Sequence, residues 1–515
     1  MSEHTQESEK IARRDSQTLR PGRLGAMAIA FFVISAAAPL TGMAGGAPFA
    51  ILLGNGRGVP MAYLLVTALM LVFAVGYVAM ARHHTSTGAF YSYVARALGG
   101  HAGGAAALVA LLGYNAMQIG LYGLFGFAGS GFLESIGIAG VPWWVISFAA
   151  MALIGFFGYR QVDLSLKVLA VLVAAEFLIV ILFDLMVLFK GGGLGGGASS
   201  GQSLTFDSFS WGALTSGAPA IGLLFAAASF IGFEATTIYS EEAKDPKRTV
   251  PRATYIAVLT IGLFFMLTSW LMINAFGGAD QDILTFIGGT ADAPADPTNF
   301  LFNIAVPYIG EFLTLKVMLG LFVSSLFAAL LAFHNAVARY TYALGREGLV
   351  PERLGHTHPV YLSPHMGSLS QSVLAFAVVL LFLVTGLDPV SNLFTWLTQL
   401  GTLAISFLMA FAALSVARFF ATNKELGGDP WRTVVAPWVA FLGLLAVVIY
   451  ATSQFGFLIN SPGSPLAWIL PATIPVAAII GAMSAGALKK REPEAFASMG
   501  RHRPSEVGLD PLVEV

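Results

Sequence analysis

Twelve apolar stretches, each long enough to cross a bilayer as a helix, recur between polar breaks in this chain. They fall at about 25–53, 60–81, 103–133, 142–158, 164–189, 213–240, 253–277, 311–337, 368–386, 392–417, 433–456 and 465–488. Backbone in hydrocarbon must satisfy its own N–H and C=O groups, so runs of this length are expected to be helices. The fold class expected is an all-α integral membrane protein with twelve transmembrane helices. Composition agrees: 56% of the residues are hydrophobic and 11% charged, more apolar surface than a soluble core needs. The chain has no cysteine, which excludes disulfides, thiolate catalysis and cysteine metal sites. A net charge of −1 without a compact basic domain gives no reason to expect a nucleic-acid partner. The N-terminal MSEHTQESEKIARRDSQTLRPGR lacks the apolar core of a cleavable signal, so the first span is expected to direct insertion.

Basic residues fix the expected orientation. All but three of the 27 lysines and arginines fall in the two tails and alternate loops; Arg57, Lys190 and Lys316 are the exceptions. This asymmetry predicts cytoplasmic N- and C-termini and an even number of spans. With short tails and no cysteine, the expected location is a prokaryotic cytoplasmic (inner) membrane.

Two spans carry signs of interruption. The first contains SAAAPLTGMAGGAP, where Pro39 removes an amide donor and Gly42, Gly45 and Gly46 loosen the next two turns. The sixth contains SFIGFE, with Gly232 between bulky residues and Glu234 just beyond. Non-helical backbone at membrane depth survives where it lines a cavity or is buried in protein. Paired interruptions in matching halves of a chain point to a transporter's midplane site. An ionised acid at a helix centre costs about 2.5–3.5 kcal/mol, so Glu234 is expected to face a cavity or a partner and to exchange a proton.

Three motifs carry a resemblance. GFEATTIYSEEAKDPKRTVPRA around the sixth span, RHHTSTGAFYSYVARALGG at 82–100 and RYTYALGREGLVPERLGHTHPVYLSPH at 339–365 resemble signatures of amino acid–polyamine–organocation (APC) superfamily permeases, in the family's order. The likeness covers roughly residues 23 to 490. It implies a 5+5 inverted-repeat transporter fold with helices 1 and 6 discontinuous, plus two C-terminal helices. The corresponding division is a tail at 1–22, a first repeat at 23–190, a Gly/Ser-rich external linker at 191–212, a second repeat at 213–420, helices 11 and 12 at 421–490, and a tail at 491–515. The resemblance also implies amino acid or amine transport by alternating access.

Half-helix ends left at the bilayer centre offer free amides to a carboxylate and free carbonyls to an ammonium. The expected substrate-binding residues are Pro39, Leu40, Thr41 and Gly42 in the first span, and Ser229, Phe230, Ile231, Gly232 and Phe233 in the sixth. Asn115, next to Tyr114 in LLGYNAMQIG, is a further candidate. Glu234 and Glu176 are the proton-coupling candidates. Relatives that run on protons often carry a lysine near the position of Glu176; this chain has none in that run, so Glu176 either carries a proton itself or pairs with a basic group elsewhere. Ser324 and Ser325 form a candidate cation site, against the alternative that they bond back to their own helix. Glu241, Glu242, Lys244 and Arg248 are expected to form and break ion pairs at a cytoplasmic gate. His83 and His84 read as solvated; Asp184, near the outer end of the fifth span, is expected to reach water, and His334 is left open.

No HExxH, GxSxG or paired His–acid motif supports a membrane enzyme, and no repeated pore signature supports a channel. No cofactor and no bound metal are expected. The function expected is a secondary active transporter importing an amino acid with a proton. A polyamine or other organic cation, amino acid exchange, sodium coupling and a permease-like nutrient receptor stand as alternatives.

Overall fold

The computed structural model describes residues 25–83, 89–160, 166–195, 201–234, 236, 243–277, 280–288, 297–361, 363–459 and 462–500. The first apolar stretch forms two pieces, α1 (Ala26–Ala36) and α2 (Pro39–Asn55), before α3 (Val59–Ala81). A short α4 (Ala89–Leu98) leads into the long α5 (Gly100–Ser135), followed by α6 (Trp143–Arg160) and α7 (Leu166–Lys190). In the sixth stretch α8 (Pro219–Ala228) is the longest regular helix among the described residues, and α9 (Pro246–Phe276) follows. Then come α10 (Asp280–Gly288), α11 (Phe300–Ile309), α12 (Leu313–Arg346), α13 (His365–Val384), α14 (Pro389–Thr422), α15 (Trp431–Ser453), α16 (Leu466–Arg491) and α17 (Pro493–Ser498). Ten helical runs among the described residues are long and apolar enough to cross a membrane, one of them continuing from α2 into α3. With α1 and α8 as separate short pieces, each expected stretch has its helix.

The molecule is a multi-pass membrane protein, and its surface shows why. Phe189 on α7, Val384 on α13 and Met483 on α16 are 81%, 71% and 69% exposed, apolar surface that lipid accommodates and water does not. α5 runs through the middle of the bundle, packed by α4, α6, α12, α14 and α16. Small residues permit this: a side chain on Gly104 would run into the backbone carbonyl of Gly481 on α16.

The first and sixth stretches lie side by side. The Ala218 N–H donates to the Gly54 carbonyl at 2.8 Å, and the Ser216 hydroxyl donates to the Asn55 carbonyl at 3.0 Å. Phe49 on α2 stacks on Phe225 of α8 with centroids 6.3 Å apart. At the other end of the bundle Arg82, Arg160, Arg346 and Arg491 close α3, α6, α12 and α16 and form a basic face. There partial burial, and then the charges of Lys247 and Arg82, hold the His83 imidazole below its ordinary value. On the same face Arg491 lies 3.8 Å from Glu352, and Arg160 sits over the Tyr361 ring. Beyond α16 the chain turns back through α17, so that Phe496 packs on His101 and Met499 is buried.

Several expectations shift. The Gly-rich linker is pinned at both ends, because Gly192 and Gln202 exchange backbone hydrogen bonds of 2.8 and 3.1 Å and Gly193 donates to Asn274 of α9; residues 196–200 lie outside the described residues. The acidic loop at 277–300 carries α10 near its start and a 3-10 turn (Pro297–Asn299) near its end, where α11 begins. α12 continues to Arg346, past the expected boundary at 337. Asp184 does not reach water: it is buried and accepts the Thr268 hydroxyl at 2.7 Å. His334 is buried with Nε2 2.7 Å from the Ser368 hydroxyl and Nδ1 3.3 Å from the Gln118 amide nitrogen.

Candidate functional site

The break in the first stretch falls before Pro39 rather than at it. Ala37 donates to Val33 in the ordinary helical way, and the next helical bond resumes from Gly42 to Ala38. Between them Ala38 takes φ 46° and ψ 72°, the left-handed region that L-residues seldom enter. Proline after it cannot continue the preceding helix but starts the next one well, with its ring already at helical φ. Pro39, Leu40, Thr41 and Gly42 are therefore the first turn of α2. The glycines expected to loosen the chain, Gly42, Gly45 and Gly46, lie inside a π-helical stretch of α2.

The sixth stretch gives up its regular helix after Ala228. Ser229, Phe230, Ile231, Phe233 and Thr236 donate three residues back instead of four, a run of tight turns. Gly232 takes φ 108°, a conformation barred to most side chains. Its N–H donates to Oε2 of Glu234 at 2.9 Å. The other oxygen of Glu234 accepts the Tyr114 hydroxyl of α5. The Tyr77 hydroxyl of α3 donates to the Glu234 carbonyl at 3.2 Å. The acid next to the glycine is thus partly explained: it holds the amide that the turn releases and ties the turn to α5. Replacing Gly232 by Ala is expected to cost about 1–3 kcal/mol, the strain of that φ in a residue with a Cβ. Thermal melting in detergent would show the drop; an unaltered melting temperature would mean that the turn re-forms without the positive φ.

Glu176 stands at the other break. It is buried on α7, accepts the Ser325 hydroxyl of α12 at 2.8 Å, and has the Leu40 backbone N–H directed at it. The Thr41 hydroxyl donates to that of Ser325 at 3.2 Å. A carboxylate, two hydroxyls and the amide end of α2 therefore converge. Such a set accepts hydrogen bonds from an ammonium or coordinates a small cation. The paired serines separate: Ser324 bonds back to Leu321 of its own helix, and Ser325 alone joins the cluster.

The remaining candidates divide. Ser229 reaches the Tyr63 hydroxyl of α3 at 3.5 Å. Phe230 and Ile231 are buried, and Phe233 packs among Phe73, Tyr77 and Phe90. Asn115 bonds to the Leu111 carbonyl of its own helix; its neighbour Tyr114 is the residue of that pair that meets Glu234. Glu241 and Glu242 lie outside the described residues. Lys244 is exposed, and Arg248 pairs with Asp245 at 3.7 Å within one turn. An exposed pair of that kind contributes about 0–1 kcal/mol and bridges to no other element. Nothing local in the sequence singles out Tyr77, because only the fold brings α3 against the turn.

A family model described as amino acid permease matches residues 24–483. The chain is 25% identical over 331 residues to the low-affinity putrescine importer PlaP of Escherichia coli strain K12, covering 62% of this chain and 67% of that protein. It is 23% identical over 329 residues to the lysine-specific permease LysP of Lactococcus lactis, covering 61% of each. Among solved structures it is similar to a manganese transporter of Eremococcus coleocola, with a TM-score of 0.55 and 12% identity over 91% of this chain and 95% of that one. At that identity the likeness concerns the fold alone.

Proposed function

The chain belongs to the amino acid permease family, and from that premise we propose that it imports a small amine together with a proton by alternating access. The observation that carries the choice of cargo is the place of Glu176. An α-amino acid needs donors for its own carboxylate, and the start of α2 is where the paired breaks would supply them. Pro39 has no N–H to give, and the Leu40 N–H is directed at Glu176. A substrate carboxylate there would meet a carboxylate of the chain, and like charges at contact in a site shielded from water repel strongly. An ammonium meets the reverse: one charged acceptor and the hydroxyls of Ser325 and Thr41 for its three N–H donors.

The proton is assigned to Glu234. Because Glu176 and Glu234 sit at different breaks with different partners, an amine and a proton can be loaded together, which favours symport over exchange at one carboxylate. Gain or loss of that proton changes what Glu234 can accept from Gly232 and Tyr114, and so the hold of the turn on α5. If the basic face is cytoplasmic, as the positive-inside asymmetry predicts, an interior-negative potential draws both charges inward at about 2.3 kcal/mol per charge per 100 mV. The importer PlaP among its relatives supports an amine. The likeness to LysP favours a second reading, a basic amino acid that presents its side-chain ammonium to Glu176.

A competition panel tests the cargo: a radiolabelled linear diamine bound to purified protein, challenged with diamines, lysine and neutral α-amino acids. Displacement by diamines and not by neutral amino acids is expected; displacement by neutral amino acids at equal concentration contradicts the assignment. Uptake in proteoliposomes that follows a sodium gradient and ignores pH would reassign the Glu176 cluster to sodium.

A further inference from the structure

Glu347 caps the end of α12 on the basic face, away from both breaks. Its Oε1 accepts the Tyr91 hydroxyl of α4 at 2.7 Å, and the Gly500 N–H approaches the same oxygen at 3.5 Å. The Tyr91 ring meets Tyr340 of α12 edge-on, with centroids 5.5 Å apart. The Tyr340 ring lies 6.1 Å from that of Tyr114, whose hydroxyl donates to Glu234. Three tyrosines on three helices thus join two carboxylates, one at the broken turn and one at the basic face. The Tyr340 hydroxyl is buried, has no hydrogen-bond partner among the described residues, and lies within the field of both Glu234 and Glu347. A buried hydroxyl left unpaired at that midpoint calls for a use.

We propose that Tyr114, Tyr340, Tyr91 and Glu347 form the route by which the proton of Glu234 leaves toward the basic face, with Glu347 as its terminal acceptor. The route rests on the reading of Glu234 as the proton-coupling residue. Glu234 gives its carboxyl proton to the Tyr114 oxygen, and Tyr114 passes its own hydroxyl proton to Tyr340. Tyr340 passes its proton to Tyr91, and Tyr91 passes its own to the Glu347 carboxylate. Each tyrosine breaks one O–H bond and forms one, so no tyrosine is left ionised and the net change is one proton moved between carboxylates. Each transfer requires rotation of a hydroxyl or one bridging water between neighbouring oxygens. Among the described residues, the ionisable groups that act on these side chains include Glu234 and Tyr77 on α3.

The test separates proton release from substrate handling. In proteoliposomes with an internal pH dye, Tyr340→Phe and Glu347→Gln are expected to slow proton-coupled net uptake of a diamine at least tenfold. Equilibrium binding of the diamine and diamine–diamine counterflow, which need no proton release, should stay at wild-type values. Glu347→Asp should restore net uptake. A packing role for these side chains would depress binding and counterflow as well, and that result would overturn the route. So would wild-type proton movement in both variants while Glu234→Gln abolishes the pH dependence of uptake; that pattern leaves the Glu234 reading standing. If Glu234→Gln itself keeps the wild-type pH profile, the reading beneath the route falls and the route falls with it. Should Tyr340→Phe fail to fold, Glu347→Gln at the helix end decides the question.

Discussion

Replacing Glu176 by Gln is expected to weaken diamine binding at least roughly 100-fold while leaving the protein folded. Removing one partner of a desolvated ion pair costs about 3–5 kcal/mol, because the charge left behind has neither water nor a counter-ion, and about 1.4 kcal/mol is a factor of ten in Kd. Glutamine keeps one carbonyl oxygen that can accept from Ser325 and nearly the same volume, so the shape of the site survives. Without amine the variant should melt no lower than the wild type, since it no longer buries an unpaired charge. Titration calorimetry and thermal melting check the two halves separately. Intact binding with normal melting would remove Glu176 from the site.

Glu234→Gln should leave binding close to normal and abolish the response of accumulation to a pH gradient. For one proton carried per amine, each unit of gradient is worth about 1.36 kcal/mol, a factor of ten in the accumulation ratio. A side chain that cannot ionise carries no proton, so the variant should equilibrate the amine without that factor. Its amide can still accept from Tyr114 but cannot accept from the Gly232 N–H with its nitrogen. That lost bond lowers stability by about 0.5–1.5 kcal/mol. Radiolabelled uptake across imposed gradients gives the result directly.

Helix number, the two interrupted stretches and the carboxylate beside the second of them were legible because each rests on local chemistry: apolar length, proline and glycine, an acid amid hydrophobic residues. Where the breaks fall was less so. Pro39 marks the end of one helix and also the start of another, and only the fold shows Ala38 carrying the strained φ. Which of two adjacent residues faces the site cannot be read from one sequence on an all-apolar helix, since neighbours differ by about 100° around the axis. Hence Tyr114 and not Asn115 meets Glu234, and Ser325 and not Ser324 meets Glu176. The link from Glu176 to α2 joins positions far apart in the chain, and no local signal encodes it. That contact shifts the expected cargo from a neutral amino acid toward an amine.

Selection for an amine requires that a carboxylate of the chain occupy the place where a zwitterion's own carboxylate would sit. Equilibrium binding of a linear diamine and of a neutral α-amino acid, each to the wild type and to Glu176→Gln, measures this. The wild type is expected to bind the diamine and not the neutral amino acid, and Glu176→Gln to lose the diamine. A neutral α-amino acid that binds the wild type and Glu176→Gln equally well would contradict that requirement.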